Sequence, residues 1–304
     1  MLGYAAEFAF RRRLAQPASA TPTWGGSRDR SRIAGYVAVG LTVIGWAVHL
    51  GSVVTRGFAA HRVPWGNMYE FSSMVSLVAV TVFLALLTRQ PVRFLGAFVM
   101  APVVLYLGLA GTVLYADAGP LVPALNSYWI KIHVVAAITA SGAFMVSGVV
   151  TVLYLLKERW ERRTPEVSLG PGAAAAVEVG APPASPVDVP IRRGLMAWLP
   201  ASDVLDRLAY RIVAFAFPVW TFAIIAGAIW AEQAWSRYWG WDPKETWSFI
   251  TWLSYAAYLH ARATAGWRGR RAAVLSLIGF GALMVDYYVV NTVITGLHSY
   301  AGVS

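Results

Sequence analysis

The chain has 304 residues, 58% of them hydrophobic and only 13% charged, with a formal net charge of +10. Soluble globular domains carry about a quarter of their residues as charges, so the composition excludes an ordinary soluble enzyme. With no cysteine, the chain has no disulfide and no thiol redox chemistry of its own.

The N-terminus, "MLGYAAEFAFRRR", is an apolar stretch broken by Glu7 and closed by three arginines. It is too short to span a bilayer and lacks the small-residue cleavage site of a signal peptide. Two readings stand: an interfacial helix, or the last turns of a span that begins upstream, which would raise the span count by one to eight. Seven apolar runs then follow, over 33–55, 67–88, 94–116, 132–156, 212–231, 246–261 and 272–297. The runs 33–55, 94–116 and 132–156 contain no Asp, Glu, Lys or Arg. Only helices can cross lipid in such a chain, because each must satisfy its own backbone polar groups. The expected fold class is therefore an all-α polytopic membrane protein.

Segment 164–190 contains "GPGAAAAVEVGAPPASPVDVP". It has no apolar period and reads as a disordered linker. Residues 201–211, "ASDVLDRLAYR", read as a short amphipathic helix leading into the fifth span. No internal repeat is visible. The expected organisation is an N-terminal interfacial segment 1–32, a first membrane half 33–157, a linker 158–205, and a second membrane half 206–304 carrying a Trp-rich loop at 230–247.

The basic charge points to a membrane rather than to nucleic acid. Of the 25 Lys and Arg residues, 20 fall in 11–32, 89–93, 157–211 and 262–271, all on one side of the predicted spans. The other side holds Arg56, Arg62, Lys131, Arg237 and Lys244. This positive-inside asymmetry sets the expected orientation. It puts the loop "SRYWGWDPKETW" (236–247) outside a bacterial cytoplasmic membrane.

Four features gather on that outer side. His133 opens the fourth span, His298 follows the seventh, His61 lies in the first outer loop, and seven of the fourteen tryptophans lie within 220–252. His260 ends the sixth span near the inner side, and His49 sits within the first span. Neutral imidazole is a good iron ligand, and two histidines from facing helices can clamp one haem. Tryptophan offers flat apolar area with one N–H donor, which suits a porphyrin face. Lys244 and Arg237 are placed to meet its carboxylates. The plainer readings stay open at this point. An aromatic belt explains isolated tryptophans such as Trp46 and Trp267, although it does not explain charges interleaved within the cluster. A single histidine is more often a hydrogen-bonded packing residue than a ligand. Asp286, deep in the last span, reads as a pairing or helix-packing group.

The segment "WAEQAWSRYWGWDPKETWSFITWLSYAAYLHAR" (230–262) closely resembles the Trp-rich haem-handling segment of the CcsA/ResC family of cytochrome c assembly proteins. "HRVPWGNMYEF", "LDRLAYR", "GWRGRR" and "GLHSYAG" resemble further elements of that family, in the same order. The resemblance runs from about residue 33 to 304, with 164–190 outside it. It is nearest the actinobacterial branch often labelled CcsB. A similar Trp-rich segment occurs in the related CcmC and CcmF proteins.

The resemblance implies a System II function. With a ResB-type membrane partner, such proteins carry haem b outward and attach it to the Cys-x-x-Cys-His thiols of apocytochrome c, which a thioredoxin-like protein keeps reduced. It implies His133 and His298 as outer haem ligands. His260 becomes an inner ligand whose opposite number comes from the partner. Trp235, Trp239, Trp241 and Asp242 become the haem platform, with Trp230, Trp247 and Lys244 as further haem contacts. Whether this chain or its partner performs the chemistry stays open. So do two other readings: a haem exporter without lyase chemistry, and a b-type respiratory subunit with permanently bound haem.

Overall fold

The computed structural model describes residues 3–7, 26–119, 127–163, 195–294 and 296–297. Helix α1 spans Gly26–Ala60, α2 Met68–Arg89 and α3 Gly96–Thr112, the last entered through a 3₁₀ turn at Arg93–Leu95. Helix α4 covers Tyr128–Arg163, α5 is a single turn at Leu195–Trp198, and α6 covers Ser202–Trp235. Helix α7 covers Pro243–Ala263. Helix α8, Arg270–Met284, continues through a π turn at Val285–Val289 into α9, Val290–Thr292. The described residues contain no strand. The chain is an all-α, multi-pass membrane protein, as the hydropathy pattern requires.

Helix α4 is the centre of the bundle. In its most apolar window 83% of residues are buried within the protein, against 17% for α1. Its inward stretch is built of small residues: Ala136, Ala137, Ala140, Ser141, Gly142 and Ala143 are all buried. Small side chains let helix backbones approach closely where lipid supplies no hydrophobic drive between helices. Helix α6 answers with buried Ala209, Ala216, Ala223 and Ala226. This pair forms the most extensive helix–helix contact in the fold. Polar ties cross it: Ser147 Oγ donates to the Ala209 carbonyl at 3.3 Å, His133 reaches the Ala223 carbonyl at 2.7 Å, and the Ser202 N–H donates to Glu161 Oε1 at 3.4 Å.

Six helices among the described residues are long and apolar enough to cross a membrane. The expected sixth span, 246–261, is the one outside that set. It forms α7, which is 21 residues long. Ser, Thr, Trp and Tyr dilute its apolar character, and Lys244, Glu245 and Arg262 mark its two ends. The helix nonetheless packs against α8 and α6. Residues 201–211 are not a separate amphipathic helix. They are the first turns of α6, which runs unbroken for 34 residues despite Pro218.

The N-terminal residues 3–7 form a helical turn docked between α1, α2 and α3. Tyr4 is 1% exposed, its hydroxyl bonds Thr42 Oγ1 at 3.1 Å, and its ring packs edge-on against Phe83. Glu7 is buried and pairs with Arg93 at 3.5 Å. The linker 164–190 lies outside the described residues.

The end of the bundle that joins the linker is held by charge pairs. Arg262 makes two bonds to Asp206, at 2.7 and 2.9 Å, joining the last turn of α7 to the first turns of α6. Lys157 donates to the Met196 carbonyl at 2.7 Å and so ties α5 back onto α4.

Candidate functional site

The loop between α6 and α7 is built by a helix start. Helix α6 stops at Ser236, whose backbone is left-handed at φ 54°. Asp242 then caps α7 and Pro243 opens it, at a position where a missing N–H costs nothing. Glu245 completes a capping box. Its Oε2 accepts from the Asp242 N–H at 3.1 Å and the Gly240 N–H at 2.7 Å, and Arg237 stands 3.6 Å away. The run Asp-Pro-Lys-Glu is thus first a structural device: it folds the tryptophans of the loop back over the bundle.

Beneath this loop lies a cavity of about 180 Å³. Helix α4 contributes Ile130, His133, Val134, Ala137 and Ser141, and α6 faces it with Trp220, Ala223, Gly227 and Trp230. Trp65, Asn67, Met68 and Phe71 close one side from the start of α2. Tyr238, Trp239, Lys244 and Glu245 come from the loop and α7, and Asp286, Tyr287 and Asn291 from the π turn and α9. From Ile130 to Ser141 is eleven residues, about 16 Å of helix. The cavity therefore runs several turns deep along α4. Its lining on α4 ends at Ser141, and one turn further along that helix Phe144 stacks face to face on Tyr255, with centroids 3.9 Å apart and planes at 5°. Both side chains are fully buried, and Trp220 packs edge-on against Phe144.

His133 is held in one orientation. A carbonyl can only accept, so its bond to Ala223 O at 2.7 Å identifies Nδ1 as the protonated nitrogen. In the neutral ring the lone pair is then on Nε2, the arrangement that metal-ligating histidines adopt when a carbonyl fixes the ring. The ring stacks on Trp230, with centroids 6.4 Å apart and planes at 12°. Gly227 makes room for it, since a Cβ there would stand 2.7 Å from Nδ1. Trp230 is 1% exposed and is backed by Trp235 at 4.8 Å, near edge-on.

Across the cavity, Lys244 Nζ lies 3.3 Å from Asp286 Oδ2 and donates to the Asp286 carbonyl at 2.8 Å. Asp286 sits in the π turn. The extra residue of such a turn displaces carbonyls from the helix ladder; Asn291 Nδ2 takes up the Tyr287 carbonyl at 2.7 Å. The wall formed by 65–71 is stiffened from behind by Glu70. This residue is 1% exposed and accepts from Arg56 at 3.0 Å, Arg62 at 2.7 Å and the Gly66 N–H at 2.7 Å.

The site residues expected from sequence are not all brought together. His133, Trp230, Trp239 and Lys244 line the cavity. Trp235 stands behind Trp230. Trp241 is 66% exposed with φ 59° and meets Trp239 edge-on. Asp242 is buried as the helix cap, and Trp247 lies on α7 outside the cavity. His260 is exposed at the far end of α7, 18 residues from Asp242. His49 bonds Ser73 Oγ at 2.8 Å, and His61 is exposed on the loop before α2. His298 lies outside the described residues, but the chain reaches the Trp loop just before it: the Leu297 N–H donates to Asp242 Oδ1 at 2.8 Å. Among the described residues, no three His, Asp or Glu side chains cluster as a metal site. Sequence reasoning did not single out Asn67, Phe71, Gly227 or Asn291. Asn67 carried a usable signal, Asn-Met-Tyr-Glu as a helix start; its side chain accepts from the Glu70 N–H at 2.9 Å.

Residues 65–298 match the family described as cytochrome C assembly protein. The chain belongs to the CcsA/ResC family. It is 36% identical over 287 residues to the cytochrome c biogenesis protein CcsA of Gloeobacter violaceus, covering 84% of this chain and 83% of that one. The CcsA of Synechococcus elongatus is also 36% identical, over 266 residues and 81% of each chain. The CcsA of Porphyra purpurea is 34% identical over 259 residues, again 81% of each. The family match starts at Trp65, which lines the cavity, and leaves out α1. Every helix that walls the cavity lies inside it.

Proposed function

We propose that this chain works in cytochrome c biogenesis as the haem-presenting subunit. In this reading it takes haem b from the inner side of a bacterial cytoplasmic membrane and holds it at the outer face for attachment to apocytochrome c, together with a ResB-type partner. The observation that carries the reading is His133: a carbonyl-fixed imidazole with its lone pair on Nε2, set in a cavity walled by Trp65, Trp230 and Trp239. His298 is the second axial ligand in this reading, and Lys244 meets a haem carboxylate. The charge asymmetry of the loops supports the outer placement of this end. The exposure of His260 suits an inner site completed by another protein.

The chemistry asked of the site is positional. Each cysteine thiol of the acceptor adds across one haem vinyl group. The S–H bond breaks, one vinyl carbon gains sulfur and the other gains hydrogen, with no net change in oxidation state. Holding vinyl and thiol together makes a slow bimolecular addition local. Axial histidines tune the iron between its redox states. With no cysteine in the chain, both thiols come from the acceptor, kept reduced by a separate thioredoxin-like protein.

The test is assembly in a host lacking its own cytochrome c maturation genes. The chain is co-expressed with its ResB-type partner and a Cys-x-x-Cys-His reporter, and denatured gels are stained for covalent haem. Stain with wild type that disappears in His133→Ala and His298→Ala is the expected result. Haem that co-purifies with the chain without any stained reporter would make it an exporter instead.

A further inference from the structure

Glu245 holds the Trp loop through one carboxylate oxygen. Oε2 accepts the Gly240 and Asp242 N–H groups, and Arg237 stands on that side at 3.6 Å. The Arg237 guanidinium occupies space that only a glycine at 240 leaves open. Oε1 is buried and, among the described residues, has no hydrogen-bond partner. The side chain is 8% exposed and lines the cavity together with His133, Trp230 and Trp239. A capping box needs one oxygen, and Gln serves it as Glu does. A buried carboxylate oxygen without a donor is a cost that capping does not require.

The charged and titratable groups around it are directed elsewhere. Lys244 Nζ faces the Asp286 carbonyl and Asp286 Oδ2, and His133 Nδ1 the Ala223 carbonyl. The Tyr287 hydroxyl bonds Ser72 Oγ, and Asp242 caps α7. A donor for Oε1 therefore arrives with an occupant. On the haem-presenting reading above, two molecules meet at this end of the bundle. Haem brings apolar surface, vinyl groups and carboxylates, and ionised carboxylates only accept. The acceptor motif brings thiols, whose S–H is a weak donor and an acid.

We propose that Glu245 is a catalytic residue whose Oε1 takes the proton of an acceptor cysteine thiol. The role rests on the haem-presenting function above. The S–H bond breaks, its electron pair stays on sulfur and the proton goes to Oε1. The thiolate, the nucleophilic form, adds to one vinyl carbon. The other vinyl carbon takes the proton back from Oε1, so the carboxylate is regenerated and no electrons are gained or lost. A positioned base of this kind contributes about 10²–10⁴ in rate.

The test uses the full chain purified with its ResB-type partner, reduced haem b and a Cys-x-x-Cys-His peptide. Thioether formation is followed by mass spectrometry from about pH 6 to about pH 9. In Glu245→Gln the amide keeps its oxygen on the Gly240 and Asp242 N–H groups and turns its NH2 to the Oε1 position. Melting midpoint and haem uptake are expected to match wild type. The rate at neutral pH falls about 100-fold. It then recovers about tenfold per pH unit toward about pH 8.5, where a free thiol ionises unaided, while wild type has the shallower slope. A selenocysteine peptide, already ionised at neutral pH, closes most of the gap.

A Glu245→Gln complex as fast as wild type at neutral pH would overturn the proton transfer. So would one slowed equally at every pH and with both peptides. A variant that melts early or takes up no haem would give Glu245 a structural role alone. Wild type offers a check that no substitution disturbs: its cysteine and selenocysteine peptides are expected to react at similar rates at neutral pH, and a selenocysteine peptide about 100-fold faster would mean that no base acts. A wild type that takes up haem and forms no thioether would overturn attachment by this complex and the role of Glu245 together, leaving haem binding in place.

Discussion

His133 shows how a site residue can be legible in type and illegible in pose. Its place at one end of a charge-free span, on the same side as the Trp cluster, can be read from the sequence. Its orientation cannot, because the partner is the Ala223 carbonyl, a group every residue offers. Gly227 is hidden for the same reason, since nothing in "IIAGAIW" says that a ring from another helix lies over that glycine. The consequence is testable. Gly227→Ala would put a methyl 2.7 Å from Nδ1, so the ring must turn and lose its carbonyl. Overpacking of this kind costs about 1–3 kcal/mol, which leaves a folded bundle. The expected outcome is folded protein at near wild-type level with covalent haem on the reporter cut about tenfold or more, and with Gly227→Ser no better. Asp286 is the opposite case. The sequence suggests a pairing role, and Lys244 is the partner found 3.3 Å away. The π turn that brings them together leaves no mark in the hydropathy pattern.

Among elements, the Trp loop and the start of α2 share one logic: a helix N-terminus fixed by side chains, with aromatics carried on the turn before it. Asn67 caps α2 as Asp242 caps α7, and both signatures stand in the sequence as Asn-Met-Tyr-Glu and Asp-Pro-Lys-Glu. The long-range partners do not. Glu70 is a first-turn acid by pattern, yet its two guanidinium neighbours come from α1 and from the loop. Arg56 and Arg62 also hold the Ala116 and Gly119 carbonyls, so the group pins the chain after α3 as well. Removing one partner of a buried ion cluster strands the others at a cost of about 3–5 kcal/mol. Glu70→Ala is therefore expected to lower the thermal midpoint in detergent strongly, and to abolish reporter haem without touching a lining residue. Glu70→Gln, which keeps one acceptor oxygen but turns the other into an NH2 donor facing donors, should lie between. A Glu70→Ala protein that melts like wild type would remove this cluster from the account of the cavity wall.

For the whole molecule, hydropathy was enough to read the class and the up-and-down course of the chain, because six helices carry uninterrupted apolar faces. It was weakest at α7, whose inward-facing Thr251, Tyr255 and Tyr258 are buried against protein rather than lipid. A helix packed in that way does not need a hydrocarbon composition. It was equally blind to α4 as the central helix, since burial in protein and exposure to lipid select the same apolar residues. The alternation of ends predicts a simple labelling result. With no native cysteine, single cysteines report without background. Tyr238→Cys, at a position 62% exposed in the Trp loop, should react with an impermeant maleimide added to intact cells. Arg268→Cys, exposed between α7 and α8, should react only after the cells are opened. The opposite pattern, Arg268→Cys labelled from outside and Tyr238→Cys only after opening, would reverse the orientation and move the haem-presenting end to the wrong compartment, and labelling of both from outside would mean that α7 does not cross.

The stacked Phe144 and Tyr255, one turn beyond the α4 lining of the cavity, bear on traffic. Two rings in face-to-face contact, both fully buried, act as a plug: anything flat passing along the bundle at that depth must first pry them apart.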